Sequence, residues 1–191
     1  MLNSTSKIMP TETKKKKRGL TPQGWWESPV AGKVYWQSRY ERLFCEFLDK
    51  NIENLKQKGL SWRKNKERFP YTSPFDGKTH NYVPDFVLVD EQENPVLYIE
   101  VKGMVRKADP AKFEAFPQDK QLVLLGYEEL KLLGLDVWDP MADSKNRTLK
   151  EGQWPYKLLQ QMPDFSERGE LTEDLKSRVD PRKFFAIWDV E

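Results

Sequence analysis

The chain has very little of the chemistry on which several large protein classes depend. Of its 191 residues one is cysteine, Cys45, and one is histidine, His80. A single thiol excludes an intramolecular disulfide framework. Together with the lack of a secretory apolar segment, this sets the expectation of a reducing, cytoplasmic setting. One cysteine and one histidine do not supply a zinc site, and neither a histidine-based metal centre nor a Ser-His-Asp triad is easily built from them. No run approaches the roughly 20 apolar residues that span a bilayer, so no membrane partner is expected.

What the chain does have is charge and aromatic surface. Charged residues make up 32% and apolar ones 38%, a polar balance that suits a protein handling nucleic acid. Seven Trp, seven Tyr and ten Phe argue against wholesale disorder. The length fits one domain with extensions. The net charge of +2 is unevenly spread: residues 1–33 carry seven Lys/Arg against two acids, whereas the remainder carries 25 against 28. A basic arm holding Lys14, Lys15, Lys16, Lys17 and Arg18 attracts phosphates in a salt-dependent way, or is a solvated tail without a specific role. Thr21-Pro22-Gln23-Gly24 and Ser28-Pro29 break any helix there, so 1–33 is expected to be largely disordered or extended. Trp25 and Trp26 are expected to dock on protein, with a partner or a nucleic-acid base as alternatives.

Two apolar runs between Asn81 and Gly103 are interrupted by polar residues at telling places. The first run carries Pro84-Asp85, the second ends in Glu100-Val101-Lys102, and a polar turn at 90–95 joins them. Strand side chains alternate, so Tyr98, Glu100 and Lys102 share one face and Leu97, Ile99 and Val101 the other, with Glu100 and Lys102 roughly 6–7 Å apart. A turn there makes opposed residue numbers sum to about 185, which sets Asp85 against Glu100 with Cβ atoms about 4.5–5.5 Å apart. Two carboxylates that close repel unless a cation lies between them. Magnesium suits the gap, with hard oxygen ligands at about 2.1 Å and room for waters and a phosphate. Lys102 would contact the same phosphate or orient an attacking water. A bulge in the hairpin would spoil this register, and the alternative is a chance cluster of polar residues at strand ends.

Around that hairpin the remaining elements can be placed. Tyr40, Leu43, Phe44, Phe47, Leu48 and Leu55 form a helical stripe over 38–55. Ser38-x-x-Glu41 fits a capping box, a purely structural use of Glu41. A strand is expected at 62–72, and Asp76-Gly77 signals a hairpin into the Asn81 strand, giving a three-stranded antiparallel meander. His80, at a strand start, is a surface residue or a phosphate contact. Arg106 and Lys107 follow Gly103 in a flexible segment that leads to Asp109-Pro110. Asp109-Pro110 reads as an N-cap with proline at the first helical position, opening a short helix at 111–116. An apolar run at 121–125 fits a buried strand added in parallel, and a helix at 127–133 follows. From 136 onward Trp138, Trp154, Tyr156, Phe165, Phe184, Phe185 and Trp188 are scattered among polar residues. Short helices are expected at 155–161, 171–179 and 181–188, in an arm that docks on its own body or on another subunit.

Pro84-Asp85 followed by Glu100-Val101-Lys102, with Ser38-Arg39-Tyr40-Glu41 upstream and the fuller forms Tyr82-Val83-Pro84-Asp85-Phe86 and Glu100-Val101-Lys102-Gly103, resembles the PD-(D/E)xK nuclease superfamily. Within it the similarity is to small phage and mobile-element enzymes: Holliday-junction resolvases, head-completion nucleases and transposase endonuclease subunits. It covers about 34–135, between arms at 1–33 and 136–191. The resemblance implies an α/β, restriction-endonuclease-like mixed sheet built as helix, three-strand meander, helix, strand, helix. It implies a magnesium-dependent DNA endonuclease, with manganese as substitute. Asp85, Glu100 and the Val101 carbonyl would hold the metal, Glu41 would complete its outer side, and Lys102 would be catalytic. The basic arm, Arg106, Lys107 and His80 would meet DNA. A homodimer fits paired cuts. The alternatives are a head-completion virion protein with weak or no cleavage, and a transposase subunit needing a partner, each using the C-terminal arm. In a phage the protein would lie in the host cytoplasm or in the virion.

Overall fold

The computed structural model describes residues 23–137 and 169–188. The expected basic cluster Lys14, Lys15, Lys16, Lys17 and Arg18, the aromatics Trp138, Trp154, Tyr156 and Phe165, and the helix expected at 155–161 lie outside them.

The architecture is mixed α/β, with an open mixed sheet of four strands. Strands β1 (Gly24–Ser28) and β2 (Gly32–Trp36) precede helices α1 (Arg39–Lys50) and α2 (Ile52–Gln57). Strand β3 (Leu60–Lys64) is followed by β4 (Phe69–Thr72), β5 (Thr79–Tyr82), β6 (Phe86–Asp90) and β7 (Pro95–Val101). Helix α3 (Asp109–Ala115), strand β8 (Leu122–Leu125) and helix α4 (Tyr127–Leu132) come next, and α5 (Glu173–Arg178) and α6 (Arg182–Trp188) lie near the C-terminus. The main sheet has the order β3-β6-β7-β8. Its first three strands are antiparallel, and β8 pairs with β7 in parallel, as the unbroken apolar run at 122–125 requires.

Alternation along β7 sorts the core into two layers. Leu97, Ile99 and Val101 pack with Trp62, Phe86, Leu88 and the α1 residues Phe44 and Leu48. Tyr98 faces the other way, toward Val87, Val89, Phe113 and Phe116. The sheet is therefore buried on both faces, by α1 on one side and α3 on the other. The β6–β7 pairing runs Phe86↔Ile99, Val87↔Tyr98 and Leu88↔Leu97, each summing to 185. A bulge does occur, but between Leu88 and Val89 on the turn side, so the register next to Asp85 is kept.

Several expectations are corrected. The single strand expected at 62–72 is two strands, β3 in the main sheet and β4 in a separate hairpin with β5. The hairpin itself turns at Asp76-Gly77, where Gly77 has φ of 65°, a conformation glycine adopts without cost. The meander is thus β3-β6-β7 with the β4–β5 hairpin inserted between its first two strands. The strand expected through Asn81 breaks at Val83-Pro84-Asp85, because proline has no N–H for the ladder and restrains the residue before it. The helix expected over 38–55 ends at Lys50, where the Asn51 side-chain amide donates to the Phe47 carbonyl at 2.8 Å and competes with the next turn.

The end of the 1–33 arm, expected to be disordered or extended, pairs with the start of the expected core to form the β1–β2 hairpin. Its anchor is Asp49 on α1. The carboxylate accepts from the Trp26 indole at 2.8 Å, the Ser28 hydroxyl at 2.7 Å and the Trp62 indole at 3.1 Å. Trp26 therefore docks on protein, whereas Trp25 stays 60% exposed against Tyr35. Asp49→Ala would strand three donors in a largely apolar setting, and we expect it to cost about 2–4 kcal/mol. Urea unfolding followed by tryptophan fluorescence measures this, and an unchanged midpoint would refute the anchor.

At the C-terminal end, Phe184 is fully buried, with its ring 5.7 Å from that of Phe44 and 4.7 Å from that of Trp188. The Leu124 N–H donates to the Val179 carbonyl at 2.9 Å. These described parts of the arm dock on the chain's own core.

Candidate active site

The acidic residues singled out in the sequence come together where β6 begins and β7 ends. Asp85 lies one residue before the last β6–β7 pair. Its Oδ2 accepts the Val101 N–H at 3.0 Å, while its own carbonyl accepts from the Asn65 N–H at 3.2 Å. The residue after the Pro84 break is thereby tied to the strands on both sides of it. Glu100, buried on β7, accepts from the Tyr82 hydroxyl at 3.1 Å and from the Lys102 ammonium at 2.8 Å. Lys102 also contacts Asp109 at 3.2 Å. Gly103 follows, and a Cβ there would meet the Tyr40 ring at 3.0 Å, so glycine lets α1 approach this end of the sheet.

Glu41 arrives from the first turn of α1. Ser38 caps that helix by accepting from the Glu41 N–H at 3.1 Å. The reciprocal half of the expected capping box is replaced: the Glu41 carboxylate reaches back to the Gln37 N–H at 3.2 Å and accepts from Lys64 at 2.6 Å. Lys64, on β3, also lies 3.4 Å from Asp85. Lys64 is not among the residues expected at the site, and its one signal is strand parity with buried Trp62, two residues earlier. Two lysines thus divide the acids, Lys64 serving Glu41 and Asp85, and Lys102 serving Glu100 and Asp109.

Charge crowding leaves its mark on these groups. Burial, followed by the nearby Glu100 charge, pushes the Asp85 carboxyl from 3.8 up to about 8, against the opposing pull of Lys64. Burial opposes the Lys102 charge, yet Glu100 and Asp109 outweigh it and raise the ammonium above the ordinary lysine range. Lys64 is raised in the same way, burial being outweighed by Asp85 and Glu41. The Tyr82 phenol is pushed well up by burial and by Glu100, and so remains a hydrogen-bond donor.

Other expectations fall differently. Asp109 is not an N-cap. It is the first residue of α3, with a fully buried side chain that accepts from Lys112 at 2.8 Å and from the Arg106 N–H at 2.7 Å. Burial works against its charge, but Lys102 and Lys112 hold it below the usual carboxylate range. Arg106 and Lys107 lie in the segment between Lys102 and α3, where the Arg106 N–H donates to Asp109. His80 sits on the β4–β5 hairpin with its Nε2 3.0 Å from Asp76, a local contact that ties it to the Asp76-Gly77 turn.

Chemically, the acids offer oxygen donors only, the ligand type preferred by hard divalent cations. An Asp85 carboxyl that resists ionisation beside two other acids is relieved by positive charge, so this donor set fits such an ion. Among the described residues no three acidic, histidine or cysteine side chains lie close enough to form a ready-made cage. Compared with protein families, curated proteins and solved structures, the chain matches none. No helix among the described residues is long and apolar enough to cross a membrane.

Proposed function

We propose that the chain is a divalent-cation-dependent DNA endonuclease of the PD-(D/E)xK type, using magnesium with manganese as substitute. The observation that carries this reading is the gathering of Glu41, Asp85, Glu100 and Lys102, from a helix and two paired strands, at one end of the sheet. The order β3-β6-β7-β8, with α1 and α3 on opposite faces, supports a restriction-endonuclease-like arrangement.

Asp85 and Glu100, with the Val101 carbonyl and Glu41, would hold the metal. When bound, it would polarise the phosphoryl group and lower the pKa of a water. The chain's own groups do the rest. Lys102, clamped by Glu100 and Asp109, keeps its proton across the working pH range and offers a fixed ammonium to the phosphate or the attacking water. Tyr82 fixes one oxygen of Glu100 and so sets its orientation. Arg106 and Lys107 would extend the positive rim toward the DNA backbone.

The test is incubation of the protein with linear, circular, single-stranded and four-way-junction DNA, with and without magnesium. Magnesium-dependent products from at least one form are expected, and no cleavage of any form in magnesium or manganese would overturn the reading. Lys102→Met should lower the single-turnover rate by on the order of 10²–10³-fold while DNA binding in calcium persists. An unchanged rate would remove Lys102 from the site.

A further inference from the structure

We propose that Lys64 is the resident counter-cation of the acidic site, holding Glu41 and Asp85 together until an arriving divalent cation displaces its ammonium. The inference rests on the cation-dependent reading above and concerns what the site does before the ion arrives.

Three features of the fold point to this role. Lys64 is the last residue of β3 and pairs with Phe86, so its side chain emerges beside Asp85 and on the α1 face, where Trp62 is buried. Its Nζ is 2.6 Å from Glu41 Oε2 and 3.4 Å from Asp85 Oδ1, and it rests 4.5 Å from the centroid of the Phe86 ring. One ammonium therefore bridges two carboxyl groups that belong to different elements. Among the described residues no three acids stand close enough together to form a ready-made cage, and the ammonium occupies the contacts a shared ion would need.

The two lysines also differ in how firmly they are held. Lys102 is bound to Asp109, whose side chain is wholly buried and has further partners of its own. Lys64 is 24% exposed on a flexible stem, and its aliphatic chain can swing toward solvent without opening the core. A divalent ion brings twice the charge to the same oxygens. Coulomb energy then favours exchange, and the released ammonium lies at the rim where a phosphate would approach.

The test measures metal binding, not cleavage. Manganese is titrated into wild type, Lys64→Met and Lys64→Arg, with free ion read by electron paramagnetic resonance. Asp85→Asn serves as the control in which binding is lost. Removing a competing charge a few ångströms away should tighten manganese binding in Lys64→Met by about tenfold or more, while Lys64→Arg stays within a few-fold of wild type. Equal or weaker binding by Lys64→Met would overturn the displacement and leave the cation-dependent reading standing. No binding by either protein would remove both.

Should Lys64→Met fail to fold without metal, wild type and Lys64→Arg carry the test. In protein labelled at the lysine Nζ, with the Lys64 resonance assigned from its loss in Lys64→Arg, magnesium should shift that resonance to a solvent-exposed position. An unmoved Lys64 signal at saturating magnesium would refute the proposal.

Discussion

If the proposed function holds, Asp85→Ala loses magnesium-dependent cleavage by at least ~10³-fold, because it removes a carboxylate proposed to hold the metal on which charge development in the reaction would depend. The same carboxylate accepts the Val101 N–H at 3.0 Å and lies 3.4 Å from Lys64. Its removal therefore also loosens the end of β7, so fold and DNA binding must be followed alongside the rate. Single-turnover cleavage, a gel-shift titration in calcium and far-UV circular dichroism separate these effects. Cleavage at the wild-type rate would sink the assignment of Asp85 and with it the nuclease reading.

Asp85→Asn should behave oppositely in stability. In the folded chain the Asp85 carboxyl titrates at about 8 instead of 3.8. Between about pH 4 and 8 the folded state thus holds a proton that the unfolded state has released. Stability falls as pH rises through that window and levels off above it. The penalty is on the order of a few kcal/mol at pH 8, trimmed by water reaching the 20% of the side chain that is exposed. An asparagine does not titrate, so its melting temperature should match wild type near pH 4 and exceed it by about 5–10 °C at pH 8.

Neighbouring groups do not tilt this comparison. Lys64 and Lys102 are raised above the ordinary lysine value. Glu41 supports the Lys64 charge, and Glu100 and Asp109 the Lys102 charge, throughout the window, and this support is lost only at more alkaline pH. Asp109 is lowered, and its contribution is lost only as pH falls below the usual carboxylate range. Thermal melts from pH 4.5 to 9 in a chelator check the expectation, and parallel pH profiles for the two proteins would refute it. Added magnesium at pH 8 should narrow the gap by stabilising wild type alone.

What could be read in advance was local in character. Alternation from Leu97 to Lys102 sorted the two faces of β7 correctly, and the polar turn at 90–95 set the register that puts Asp85 beside Glu100. The unbroken apolar run at 122–125 announced a parallel strand. Lys64 stayed hidden because its neighbours are set by β3 pairing with β6, more than 20 residues away in sequence, and not with β4 next door. Asp109-Pro110 looked like an ordinary helix start, and only the packing of α3 against the sheet turned that aspartate inward onto Lys102. The β1–β2 hairpin escaped for a related reason. Its strands are only five residues long and bounded by the turn formers Pro22, Gly24, Pro29 and Gly32, and its order comes from Asp49 on another element.

The bulge between Leu88 and Val89 carries a further consequence. The turn beyond it is self-contained: the Asp90 carboxylate accepts from the Gln92 and Asn94 N–H groups, and Glu93 adopts a φ of 64°. Toward the acids, the buried pairs Phe86↔Ile99 and Leu88↔Leu97 hold the strands in step. Val96 is left over in the pairing between the tip and Asp85, so a change at the tip is expected to leave the register beside Asp85 in place. Residues 91–94 are accordingly where a grafted peptide or fluorescent reporter is expected to leave the acidic end of the hairpin in alignment.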